Sequence, residues 1–306
     1  MKILLLGANG QVGFELQRSL APLGEVVAAT RSGSLPGAAA CERVDLYDTE
    51  ALDALCMRVA PQLIVNAAAH TAVDRAEDEE ELALRANGAA PGALGRWAAR
   101  HGAAVVHYST DYVFDGQGTR PYREDDATAP IGAYGRTKRA GEDALAASGA
   151  AYLNFRTAWV YAARGGNFLR TMLRLARDRD RLGVVADQRG APTPARLIAG
   201  TTACVLARWL HHDAPTREAM SGSYHLVSAG ECSWHDFAVA IFAQARAADL
   251  IAKIPEVAPI AAADYPTKAR RPAYSVLDTR KLRETFGLDL PDWRHGLRDV
   301  IGELAA

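Results

Sequence analysis

The chain has 306 residues, with 35 Lys and Arg against 36 Asp and Glu, a formal net charge of -1 and no long single-sign block. That balance excludes an electrostatic footprint for nucleic acid or an anionic membrane and leaves a small molecule as the expected partner. The four cysteines (Cys41, Cys56, Cys204, Cys232) form no Cys-x-x-Cys pair for zinc or a disulfide framework, and no apolar run nears membrane-spanning length, so the expected location is cytoplasmic.

Lys2 to Leu6 reads as a strand stopped by Gly7-Ala8-Asn9-Gly10-Gln11-Val12-Gly13, and a helix follows with Val12, Leu16 and Leu20 at four-residue spacing, closed near Gly24. Strand, glycine turn and helix are the context of a dinucleotide fingerprint. Glycines let the backbone approach a pyrophosphate, and the helix N-terminus offers amides to its charge. The spacing Gly7-x-x-Gly10-x-x-Gly13 is a variant of the commoner Gly-x-Gly-x-x-Gly, and a purely structural turn is the alternative. A second strand, Glu25 to Ala29, ends at Thr30-Arg31-Ser32 in place of the Asp or Glu that binds the ribose of NAD. Arg31 therefore tilts the expectation toward NADPH, with NADH possible and a solvated loop cation as the other reading.

A third strand ends at Val44-Asp45-Leu46, and a fourth, Gln62 to Val65, leads into Asn66-Ala67-Ala68-Ala69-His70-Thr71, small residues against which a cofactor can lie flat. His70 is assigned a binding role, a hydrogen-bonded loop histidine being equally consistent. Helices around Glu79 to Ala86 and Gly92 to Arg100 precede a fifth strand. Its buried run through Val105, Val106 and Tyr108 delivers Ser109-Thr110-Asp111 to the carboxyl end, where open α/β sheets bind ligands.

Tyr134 and Lys138 stand four apart, followed by a helical run from Arg139 to Ala147, and so share one helix face. A phenol has an ordinary pKa of about 10. An adjacent ammonium lowers it and makes Tyr134 a usable proton donor. Taken alone, Tyr-x-x-x-Lys is more often an ordinary surface pair.

Ala151 to Phe155 is a further strand, leading into Arg156-Thr157-Ala158-Trp159-Val160-Tyr161, where Trp159 is either core or ligand-facing. Beyond Gly165 come a helix from Asn167 to Arg177, a rigid loop from Gly190 to Pro194 and a strand from Gly222 to Val227. A helix from Trp234 to Ala248, a Pro-punctuated stretch from Pro255 to Pro272 and a last helix after Trp293 complete the chain. The βαβ alternation predicts an α/β protein: a Rossmann-type doubly wound parallel sheet with a smaller C-terminal substrate-binding lobe. Residues 1–156 are the expected NADPH-binding domain, to which the chain returns around 196–227, and 157–306 are mainly the smaller lobe.

Several stretches together resemble the extended short-chain dehydrogenase/reductases over nearly the whole length, and within them the dTDP-4-dehydrorhamnose reductase family. They are Gly7 to Gly13, Asn66 to Asp74, His107-Tyr-Ser-Thr-Asp-Tyr-Val-Phe114, Tyr134 to Lys138, Phe155 to Tyr161 and Asp187 to Thr193. The resemblance implies reduction of dTDP-4-dehydro-β-L-rhamnose to dTDP-L-rhamnose by hydride from NADPH, the last step in making an activated deoxysugar. It implies that Tyr134 protonates the developing alkoxide, Lys138 holds the nicotinamide ribose and lowers the Tyr134 pKa, and Thr110 hydrogen-bonds the reacting oxygen. Asp111 and Trp159 are implied to touch the sugar. The implied cofactor lining is Gly10, Gln11, Val12, Asp45, Leu46, Ala69, His70, Thr71 and Tyr108, with Tyr134 and Lys138.

One departure is Arg271-Pro272-Ala273-Tyr274-Ser275, where Tyr274 stands at a position often Asn in the family. Some relatives bind Mg²⁺ through acidic residues at a dimer interface. No ligands can be named here, so Mg²⁺ is doubtful and a homodimer remains an open expectation. Two other readings stand beside the reductase. One is an epimerase or dehydratase acting on nucleotide-sugars with a retained NAD. The other is a non-catalytic regulatory subunit of the methionine adenosyltransferase type, against which the presence of Thr110, Tyr134 and Lys138 argues.

Overall fold

The computed structural model describes residues 1–37 and 40–306. The chain opens with β1 (Lys2–Leu6), α1 (Gln11–Leu20), β2 (Glu25–Thr30), β3 (Glu42–Arg43), α2 (Thr49–Val59) and β4 (Leu63–Asn66). Two short helices, α3 (Val73–Ala76) and α4 (Glu80–Leu84), precede α5 (Ala90–His101), β5 (Ala104–Thr110), α6 (Ala133–Ala146) and β6 (Ala151–Thr157). Next are β7 (Val160–Tyr161), α7 (Phe168–Asp178), β8 (Arg181–Val185), β9 (Arg189–Gly190), β10 (Thr193–Pro194), α8 (Ala195–Trp209), α9 (Ala214–Ala219) and β11 (Gly222–His225). The chain ends with β12 (Cys232–Ser233), α10 (Trp234–Ala247), β13 (Glu256–Ile260), α11 (Arg280–Phe286) and α12 (Trp293–Ala305).

Seven strands form one parallel sheet in the order β11-β6-β5-β4-β1-β2-β3. The strand order reverses between β1 and β4, which opens a crevice over their carboxyl ends. Central strands β4 and β5 are fully buried and β1 nearly so, and their first residues after Lys2 are apolar because both faces are covered, while polar residues come toward the carboxyl ends of β4 and β5. Leu4, Leu6, Ile64 and Val105 pack with residues of α2 and α5, while Ile3, Leu5, Val65 and Val106 pack with residues of α1 and α8. A third apolar cluster, with Leu169 and Met172 from α7, Phe237 and Phe242 from α10 and Leu297 from α12, is the core of the smaller lobe.

Local expectations are corrected at several points. The helices expected around residues 79–86 and 92–100 are joined, because α4 continues through a wider-wound turn, Arg85–Ala89, straight into α5. Pro91 has no N–H for the helical ladder, and the widened turn just before it absorbs the missing bond. Gly92 is the point where this run meets α6: a Cβ there would lie 2.9 Å from the Ala144 Cβ. The third strand ends at Arg43, short of Val44-Asp45-Leu46, and pairs with β2 alone. Gly190 to Pro194 is not a plain loop, since β9 pairs antiparallel with β12 and β10 parallel with β7. Helix α11, unrecognised in the sequence, returns to the first core, where Leu282 and Phe286 bury.

Candidate active site

At the end of β1 the chain turns on Gly7, whose φ of +75° favours glycine. A Cβ on Gly7 would lie 2.8 Å from the Ala68 backbone nitrogen, and one on Gly13 would overlap the Gly7 carbonyl oxygen. Gly10 is the N-cap of α1 and makes no side-chain cap, so the amides of Gln11, Val12 and Gly13 begin the helix with no side-chain acceptor at that cap. Beside this turn a cleft of about 240 Å³ is lined by residues that include Gly7, Thr30, Arg31, Asp45, Leu46 and Ala69. A bare-backbone cradle at a helix N-terminus, with a guanidinium in the adjoining cleft, fits a dinucleotide.

His70 is buried, its Nδ1 2.9 Å from the Tyr47 hydroxyl. Its backbone N–H donates to Asn87 Oδ1 at 2.8 Å, and Asn87 Nδ2 donates back to the His70 carbonyl at 3.1 Å. Burial first, then the charge of Arg75, lowers the His70 pKa, and its Nε2 is buried with no protein partner. Thr71 is exposed beside it. Tyr47 and Asn87 escaped the sequence reading. The available signal for Asn87 was an amide inside an alanine- and glycine-rich helical stretch.

Strand alternation divides the next residues. The Tyr108 ring belongs to the core under α1 and α8, its hydroxyl 2.9 Å from Thr202 Oγ1, so what Tyr108 offers the α6 side is its carbonyl oxygen. Thr110 ends β5, its hydroxyl donating to Asp111 Oδ1 at 3.0 Å and accepting from the Tyr112 N–H at 3.2 Å. Tyr134 lies in the first turn of α6, edge-on to the Tyr112 ring at 5.6 Å. Gly135 lets the helix come this close, since a Cβ there would overlap the Tyr112 carbonyl oxygen.

Burial pushes the Tyr134 phenol up to about 12, the charge of Asp111 adds to this, and a hydrogen bond with Thr110 opposes it. The depression expected from Lys138 is thus corrected: Lys138 is not among the causes of the shift, and its amine is turned toward β5. Lys138 Nζ donates to the Tyr108 carbonyl oxygen at 2.6 Å and lies 3.0 Å from His107 Nε2. Burial brings Lys138 down to about 8, against the opposing charge of Glu142. Asp111 is buried with Oδ2 unpartnered, and burial pushes its carboxyl up to about 6 against hydrogen bonds from Ser275 and Thr110.

Trp159 is neither free nor plain core. Its φ of +48° is left-handed, and its indole is half-buried and stacks on Trp234, ring centroids 3.4 Å apart and planes 4° apart. Gly190 packs against it, where a Cβ would lie 2.5 Å from the indole nitrogen. The Tyr274 hydroxyl donates to Glu231 Oε2 at 3.1 Å, and Glu231 also accepts from Arg189. Among the described residues no three His, Cys, Asp or Glu side chains are grouped as a metal needs, and no helix is long and apolar enough to cross a membrane.

Residues 1–306 match the family model for the RmlD substrate binding domain. The chain is 49% identical to a dTDP-4-dehydrorhamnose reductase of Burkholderia thailandensis, over 99% of this chain and 100% of that one. A solved dTDP-4-dehydrorhamnose reductase of Clostridium acetobutylicum aligns with a TM-score of 0.87 at 36% identity, covering 100% of both chains. That of Bacillus anthracis, in complex with NADP, aligns with a TM-score of 0.85 at 31% identity over 99% of each chain. Likeness of this extent, spanning both the sheet and the smaller lobe, means that the chain belongs to the dTDP-4-dehydrorhamnose reductase family.

Proposed function

We propose that this chain reduces the C4 carbonyl of dTDP-4-dehydro-β-L-rhamnose to the alcohol of dTDP-L-rhamnose, with NADPH as the preferred cofactor and NADH as a possible one. The observation that carries this reading is the meeting of Thr110, Asp111 and Tyr134, backed by Lys138, at the carboxyl end of β5 in a sheet whose β1 ends in the glycine turn. The nicotinamide, when bound, supplies hydride to a carbonyl carbon. A phenol held near 12 stays protonated at neutral pH, which suits Tyr134 as the donor of a proton to the forming alkoxide. Thr110 offers its hydroxyl to the same oxygen, and Lys138 holds the nicotinamide ribose.

Gly7, Gly10, Gln11, Val12 and Gly13 are assigned to the pyrophosphate, Arg31 to a ribose phosphate, and Asp45, Leu46, Ala69, His70, Thr71 and the Tyr108 backbone to the rest of the cofactor. Asp111 and Trp159 are assigned to the sugar. On this reading residues 1–156, rejoined by 196–227, hold the cofactor, and 157–306 mainly hold the nucleotide-sugar. A cytoplasmic homodimer is part of the proposal.

The test is NADPH absorbance with enzymatically generated dTDP-4-dehydrorhamnose. One equivalent oxidised per product supports a reductase. A tightly held NAD with no net oxidation points to an epimerase or dehydratase, and a stable hetero-complex without activity points to a regulatory subunit.

A further inference from the structure

Behind Lys138 lies a row of buried polar groups that the proposed reaction does not use. Asn66, at the end of β4, pairs in the sheet with His107 of β5, and both side chains are buried. The Ala68 N–H donates to Asn66 Oδ1 at 3.2 Å, which turns the amide nitrogen toward His107, Nδ2 lying 3.2 Å from Nδ1. An amide nitrogen only donates, so Nδ1 is the bare nitrogen of the ring. Burial holds the imidazole pKa well below its ordinary value, so the ring is neutral and its single proton sits on Nε2. That N–H faces Lys138 Nζ at 3.0 Å. An ammonium has no lone pair to receive it, whereas a neutral amine has one and still keeps an N–H for the Tyr108 carbonyl.

We infer that Asn66 and His107 are positioning residues for Lys138: they lock one imidazole tautomer, and in the absence of cofactor they hold Lys138 as an uncharged amine in a one-way chain of donors from Asn66 to the Tyr108 carbonyl. The charged and titratable groups around this chain act in known directions. Glu142, one turn along α6, favours the ammonium, but Arg156 of β6 takes both its oxygens at 3.0 and 2.7 Å. Tyr134 on α6 is a neutral phenol near neutral pH, and Asp111 lies at the far end of β5. Burial brings Lys138 down to about 8 against the charge of Glu142, and the facing N–H also disfavours the ammonium. The ammonium forms when a ligand brings oxygen acceptors to Nζ, so dinucleotide binding is coupled to proton uptake. This part rests on the cofactor reading above; the tautomer does not.

The two parts are tested separately. In ¹⁵N-histidine NMR of the ligand-free protein at pH 8, with the His107 signals assigned by their loss in His107→Gln, the proton is expected on Nε2. A proton on Nδ1 overturns the inference. Calorimetry of NADPH binding at pH 8, in buffers of different ionisation enthalpy, is expected to show uptake of at least about half a proton. Asn66→Asp draws the ring proton to Nδ1 and leaves Nε2 bare to accept from an ammonium, so the uptake should vanish in that variant. No uptake in the wild type, or unchanged uptake in the variant, also overturns the inference. Absence of NADPH binding refutes the cofactor reading instead, with the NMR result still deciding the tautomer.

Discussion

The Gly7 carbonyl oxygen occupies the place that a Cβ on Gly13 would take. The two ends of the glycine turn are therefore packed backbone on backbone, while a Cβ on Gly10 would meet only the same oxygen at 3.3 Å. Overpacking of this kind costs about 1–3 kcal/mol, so Gly13→Ala is expected to weaken NADPH binding roughly 10- to 100-fold or to unfold the turn. Gly10→Ala should stay within about threefold on the same ground. Fluorescence titration and thermal melts check this, and equal effects of the two substitutions would refute the geometry.

Tyr134→Phe keeps the ring against Tyr112 and removes the hydroxyl that would give the proton. Turnover is expected to fall by a factor on the order of 10², with NADPH affinity nearly unchanged. Steady-state rates beside a binding titration separate the two quantities. Turnover near that of the wild type removes Tyr134 from its role.

Arg31 lies in the cleft next to the glycine turn. If its guanidinium meets the 2′-phosphate, Arg31→Ala lowers the ratio of kcat/KM for NADPH over NADH by about tenfold or more, the scale of a charge-assisted hydrogen bond. An unchanged ratio assigns Arg31 to the solvent.

Lys138 titrates at about 8 in the fold, below its ordinary range, so folding favours the uncharged form. Its contribution to stability is full above the unfolded pKa and is lost as pH falls through about 8. Relative to wild type, Lys138→Met should therefore gain stability as pH drops from about 10.5 to 7, by roughly 3 kcal/mol at about 1.4 kcal/mol per pKa unit. Denaturant unfolding across that range measures it, and a difference flat in pH would contradict the buried, depressed lysine.

Gly190→Ala pushes a methyl group into the Trp159 indole. Displacing that ring should raise KM for the nucleotide-sugar by about tenfold, since roughly 1 Å of misplacement in a binding wall is costly, while NADPH affinity holds. Unchanged kinetics would mean that the Trp159–Trp234 stack does not touch the sugar.

The glycine turn, the strand ends and the Tyr134–Lys138 spacing were legible because each is local: a strand, a turn and a helix within a short run of chain. Asn66 and His107 were not, because their meaning lies in a contact 41 residues apart in sequence. The same holds for Asn87, whose amide closes on His70 across 17 residues. That Gly92 lies inside one continuous helical run and faces Ala144 was not legible either, because the neighbouring helix that needs its small size is not visible in the local sequence.

By itself the sequence determined the doubly wound sheet and the nucleotide-binding end of it, because hydrophobic periodicity and the glycine spacing act over a few residues. Only the tertiary structure decided which way the Lys138 amine faces, how far burial lifts Tyr134, and that Trp159 is clamped between Trp234 and Gly190. Those outcomes depend on desolvation and on partners brought from other strands and helices, and a residue's solvent exposure is a property of the packed chain that its neighbours in sequence do not set.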